Sequence, residues 1–246
     1  MQRQVNAPGS PWPEAVVFDL DGTLVDSAPD IAAALNTVLQ GHDLPQFSLD
    51  DVTRMIGGGV PKLVERALRA LGRPDETDLA ARLIEAFLPV YSAAATERTT
   101  VFPGVREVLK RFAGAGVRMG VCTNKPEGIS RQILSALDLA RYIGAVVGGD
   151  SGPERKPHPA PLLSAFEALG VAPAAGVMVG DSGADAGAAR AAGVPVVLVS
   201  FGYTQTPVGD IDCDRVIDRF DALEAALAEL RPAVGQAADG PLSQGA

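Results

Sequence analysis

A chain of 246 residues, 47% of them hydrophobic and 21% charged, carries enough apolar material for one α/β domain or for a core with a small insertion. Its formal net charge of −9 argues against a broad cationic face, so no nucleic acid partner is expected and any anionic ligand must be met by a few local cations or a metal. No apolar run approaches transmembrane length, and Cys122 and Cys213 are too few and too far apart for a disulfide framework, so the expectation is a cytoplasmic protein with no membrane partner, as a monomer or homodimer.

Residues 1–13 are polar and proline-bearing, without the apolar region of a secretory signal, and read as a flexible N-terminal tail. Ala15-Val16-Val17-Phe18 reads as a buried strand. From 27 to 99 only helical patterns follow. Ile31, Leu35, Val38 and Leu39 share one face, Leu63, Ala67, Leu68 and Leu71 a second, and Leu79, Leu83, Ala86 and Phe87 open a third. Strand–helix alternation then sets in. Strands are predicted at Val117 to Cys122, Ala145-Val146-Val147, Val177-Met178-Val179 and Val194 to Val199. Helices are predicted through Val105, Val108, Leu109 and Phe112, through Leu162, Phe166 and Leu169, and through Leu223, Ala226, Leu227 and Leu230. The fold class is therefore α/β: a Rossmann-like parallel sheet built from 14–26 and 100–231, with an all-helical cap inserted at 27–99. Residues 232–246, rich in Gly, Ala and Gln, read as a flexible C-terminal tail.

In an open parallel sheet, ligands sit beyond the carboxyl ends of the strands. There the sequence places Asp19, Asp21 and Thr23, then Thr123, Asn124 and Lys125, then Lys156-Pro157-His158-Pro159, then Asp181, Ser182 and Asp185. Asp19 and Asp21 are two apart in extended chain and project to one side. With Asp181 and Asp185 they form a set of hard oxygen ligands that favours Mg²⁺. The N–H groups of Gly22 and Thr23 are expected to form an anion-binding nest. Thr123 and Asn124 are expected to donate to phosphate oxygens, and Lys156 to cancel charge. A small phosphorylated substrate follows, with Asp19 as a nucleophile forming an aspartyl-phosphate and Asp21 as acid and base.

The blander readings differ in weight. Asp-x-Asp alone marks a turn or helix cap, but a preceding buried strand and a following Gly-Thr make that reading unfavourable. Asp185 could serve the helix dipole alone. His158, just before a helix, reads as structural. Gly57-Gly58-Gly59 is either a flexible turn or a loop that approaches the substrate, and it lacks the Gly-Lys-Ser/Thr end of a nucleotide-binding loop.

These residues resemble the haloacid dehalogenase superfamily, over roughly residues 14 to 231. Its four motifs match Phe18-Asp19-Leu20-Asp21-Gly22-Thr23-Leu24, then Thr123, then Lys156, then Gly180-Asp181-Ser182 with Asp185. Leu24-Val25-Asp26-Ser27-Ala28-Pro29-Asp30, Ile56-Gly57-Gly58-Gly59, Thr123-Asn124-Lys125-Pro126, Gly148-Gly149-Asp150 and Gly202-Tyr203 are similar to the bacterial phosphoglycolate phosphatases. The resemblance implies a magnesium-dependent phosphatase for 2-phosphoglycolate, with Mg²⁺ held by Asp19, the Asp21 carbonyl and Asp181, assisted by Asp185. It also implies a sheet in the order 5-4-1-2-3. Gly183-Ala184 depart from the Arg-Asn pair usual at that place. Arg54, Lys62, Lys125 and the glycine run are the candidate partners of a substrate carboxylate. Other phosphate esters, pyrophosphate, a sugar-phosphate mutase and a non-catalytic phosphate-binding module remain the alternatives; the presence of both Asp19 and Lys156 weighs against the last.

Overall fold

The computed structural model describes residues 12–230. The two tails expected at 1–13 and 232–246 lie outside them, save Trp12 and Pro13.

Six parallel strands form the sheet: β1 (Ala15–Phe18), β4 (Arg118–Cys122), β5 (Ala145–Val147), β6 (Gly176–Gly180), β7 (Val196–Val199) and β8 (Arg215–Ile217). Their order is β5-β4-β1-β6-β7-β8. The five strands read from the sequence stand in the implied order, and β8 adds an edge strand. Every residue of β1 is fully buried, as a strand flanked on both edges and covered on both faces requires. Val16 and Phe18 face one core with Val177, Val179 and Val197; Ala15 and Val17 face another with Leu162, Phe166 and Ala189. The two-residue side-chain period thus divides one apolar run between two layers.

Helices α5 (Val105–Gly114), α6 (Glu127–Ala136), α7 (Ala160–Leu169), α8 (Gly183–Ala192) and α9 (Leu223–Glu229) connect or follow these strands. Between β1 and β4 the chain leaves the sheet. β2 (Val25–Asp26) leads out and β3 (Thr100–Val101) leads back, paired antiparallel as a short neck. Between them lie α1 (Ala28–Gln40), α2 (Leu49–Met55), α3 (Val60–Ala70) and α4 (Thr77–Ala94). α1 and α3 both pack on α4, burying the three predicted helical faces apart from the half-buried Leu71 and Ala86. α2 is short but capped at its start, where the Ser48 hydroxyl accepts from the Asp51 N–H. No helix of the described residues is long and apolar enough to cross a membrane.

Candidate active site

The loops after β1, β4, β5 and β6 meet at the floor of a cavity of about 450 Å³. Residues of α1, α3 and α4, of the loop between α2 and α3, and of the loop after β7 form its other walls. Asp19, Asp21, Thr123, Asn124, Lys125, Lys156 and Asp181 line it, and so do Gly57, Gly58 and Gly59.

Lys156 is the centre of charge on this floor. Its Nζ donates to Asp185 Oδ1 at 2.6 Å and lies 3.0 Å from Asp19 Oδ1. Only 1% of its side chain is exposed. Burial by itself would lower the ammonium, but Asp185 and Asp19 raise it above the ordinary lysine range. Asp19 is pushed up to about 6, first by burial, with Lys156 opposing and Asp185 and Asp21 adding to the rise. Burial, Asp185 and Asp19 push Asp181 well above the ordinary carboxylate range too. These shifts are what crowded carboxylates show when their charge is not fully balanced.

Asp185 is fully buried and spends both oxygens. Oδ1 takes Lys156; Oδ2 accepts from the Asp181 and Ser182 N–H groups and from the Ser182 hydroxyl. It therefore caps α8 and also holds Lys156. Gly183 and Ala184, in place of the usual polar pair, simply line the cavity wall.

One expected phosphate-binding arrangement, the nest of Gly22 and Thr23, is not formed. The Gly22 N–H donates to the Val25 carbonyl and the Thr23 N–H to the Leu20 carbonyl, so the tight turn after Asp21 consumes both, and no nest is left for an anion. Gly22 matters for a different reason. Its φ is +81°, and a Cβ there would lie 2.3 Å from Asp181 Oδ2. The Asn124 side chain donates to the Lys156 carbonyl and accepts from the Lys156 N–H, both at 3.0 Å. It thereby positions Lys156, while its second Nδ2–H is not taken up by that pairing. Thr123 is buried in the cavity lining, with its Oγ1 accepting from the Lys125 N–H at 3.3 Å.

Sequence reasoning missed three relations. Lys125 donates to both oxygens of Asp21 at 2.9 Å, beneath the Tyr91 ring, whose centroid is 4.5 Å away. The Ser27 hydroxyl also donates to Asp21. Burial would lower Lys125, but Asp21 and Tyr91 raise it. Finally, the Tyr203 N–H donates to Asp181 Oδ2 at 2.6 Å, while its hydroxyl donates to Asp26 and accepts from the Ser27 and Ala28 N–H groups. One tyrosine thus ties the neck to an acidic residue of the floor. The only available signal was Gly202, where a Cβ would fall 2.2 Å from Asp181 Cβ. Of the other candidates, Arg54 pairs with Asp51 and does not line the cavity, whereas Lys62 lines it and pairs with Glu65. Arg66 Nη1 donates to the Met55, Ile56 and Gly57 carbonyls and so pins the glycine run to α3.

Asp19, Asp181 and Asp185 bring carboxylate oxygens within 4.8 Å of one another, with no histidine or cysteine in the set. Together with Asp21, four carboxylates face two ammonium groups, Lys125 and Lys156, which leaves two negative charges unbalanced. That donor set and that deficit fit a hard divalent cation.

Comparison with known proteins agrees with this arrangement. A family model described as haloacid dehalogenase-like hydrolase matches residues 16–199. The phosphoglycolate phosphatase of Rhodospirillum rubrum is 46% identical over 216 residues, covering 86% of this chain and 89% of that protein. That of Caulobacter vibrioides is 44% identical, covering 83% and 86%. Among solved structures, a predicted phosphoglycolate phosphatase from Haemophilus somnus superposes with a TM-score of 0.80 at 33% identity, covering 86% of this chain and 96% of that one.

Proposed function

This chain belongs to the haloacid dehalogenase-like hydrolases and is a phosphatase, and we propose that it hydrolyses 2-phosphoglycolate to glycolate and phosphate with the help of Mg²⁺. The observation that carries the reading is the pairing of Asp19 with a buried Lys156 on the floor of a small cavity walled by the inserted helices. The relatives' substrate supplies the choice of ester.

In this reading Asp19 attacks phosphorus, forming a P–O bond to its carboxylate as the bond to the ester oxygen breaks. Asp21 gives its proton to the departing alkoxide, then takes one from the water that cleaves the aspartyl-phosphate and regenerates Asp19. Lys156 offsets charge that builds on the phosphoryl oxygens and is held for that task by Asp185 and Asn124. Asp19, Asp181 and the Asp21 carbonyl would hold the Mg²⁺, with Asp185 steadying Asp181 and Lys156. The ion supplies positive charge that lowers repulsion between the anionic nucleophile and the phosphate. His42, the one histidine of the cap, donates from Nδ1 to the Val38 carbonyl and does not line the cavity, so no second acid and base of the kind a mutase needs is contributed by it.

The test is Asp19→Asn. An amide keeps the shape but is a poor nucleophile, so turnover of 2-phosphoglycolate should fall about a thousandfold or more with the melting temperature retained. Turnover within tenfold of the wild type would remove Asp19 as the nucleophile.

A further inference from the structure

Two donors in the cavity wall are left over once the phosphoryl machinery is assigned. Tyr91, on α4, is 2% exposed, stacks on Phe87 at 5.4 Å, and has a hydroxyl with no hydrogen-bond partner among the described residues. A buried hydroxyl without a partner is costly, so its retention needs an explanation. Lys125, at the end of β4, is 6% exposed and gives two of its N–H groups to Asp21. Beyond Asp21, its ammonium faces only Tyr91 among the described residues, over whose ring it lies, so the two donors are neighbours. One comes from the core and the other from the insertion. Both belong to residues lining the same cavity as Asp19, and Lys125 touches Asp21, two residues from the nucleophile.

We propose that Lys125 and Tyr91 form the subsite for the carboxylate of the substrate. A carboxylate brings two acceptor oxygens to two donors, in a place where one positive charge is only shared with Asp21. Because Lys125 bridges directly to Asp21, a subsite there suits an acid separated from its phosphate by a single carbon. Lys62, with 55% of its side chain exposed and paired to Glu65, and Arg66, whose Nη1 serves three carbonyls, fit this role less well. This subsite rests on the phosphoglycolate reading and deepens it.

The experiment measures kcat/KM for 2-phosphoglycolate and for ethyl phosphate, which lacks the carboxylate, in the wild type and in Tyr91→Phe. The wild-type ratio should favour phosphoglycolate, and Tyr91→Phe should lower that ratio about tenfold or more, the loss appearing in KM, with no fall in melting temperature. A wild-type ratio near one overturns the substrate reading and the subsite with it. A clear wild-type preference that Tyr91→Phe leaves intact overturns the subsite alone. So does a variant that loses both activities in proportion, since Tyr91 would then act on the chemistry or the fold.

Discussion

Lys156 donates to one carboxylate at 2.6 Å and lies 3.0 Å from another, with almost none of its side chain in water. Removing it would leave Asp19 and Asp185 facing each other without a counter-charge. Lys156→Ala should therefore cost about 3–5 kcal/mol of stability, as breaking a buried ion pair does, along with a rate loss of about a hundredfold or more. Thermal melts in chelator and steady-state kinetics check the two effects separately; a variant that melts like the wild type would return the lysine to the surface. The residue types of the floor were legible from spacing alone, because carboxylates and a lysine at the ends of successive strands have few other uses. Their partners were not. Asn124 could be placed near a phosphate by its position after a strand, but only the fold shows that residue 156 comes back to pair with its amide. The same holds for Gly22 and Thr23, whose N–H groups are drawn into a local turn that no residue pattern announces.

The neck is where the elements meet. Asp30, in the first turn of α1, is 3% exposed and accepts from the Arg98 N–H, the Thr99 N–H and the Thr99 hydroxyl, which lie just before β3. It closes the insertion on itself, while β2, β3 and the Tyr203 hydroxyl, which donates to Asp26, join the insertion to the core. Asp30→Ala would strand three donors and should cost about 3 kcal/mol or more, whereas Asp30→Asn, which keeps an acceptor, should recover part of it. Equal melting temperatures for Asp30→Ala and the wild type would contradict that role. Long periodic segments such as α1 and α4 and the apolar strands could be read directly. α2 is seven residues long, β2 and β3 two each, and β8 is an edge strand with two of its three residues exposed. Elements that short are set by capping and pairing, which local hydrophobic pattern does not encode.

At the scale of the whole molecule, a net charge of −9 coexists with a site for an anion because two buried lysines, Lys125 and Lys156, stand on its floor and are supplemented by the acidic cluster's capacity for a divalent ion. The insertion contributes the apolar wall of Ile31, Ile56, Leu63 and Phe87 together with Tyr91, and the Gln205 amide after β7 donates to the Arg54 carbonyl of α2 across the cavity mouth. This cover keeps bulk water off the floor and so strengthens the charge interactions beneath it. A pair of donors beside Asp21 suits a substrate carrying a carboxylate as well as a phosphate better than a hexose phosphate, which offers no second anion. Phosphate release from 2-phosphoglycolate and from glucose 6-phosphate, measured with Mg²⁺ and again after chelation, puts the account to its most direct test. It predicts a kcat/KM for 2-phosphoglycolate about tenfold or more above that for glucose 6-phosphate, abolished by chelator and restored by Mg²⁺. A higher kcat/KM for the sugar phosphate, or full activity in chelator, would contradict it.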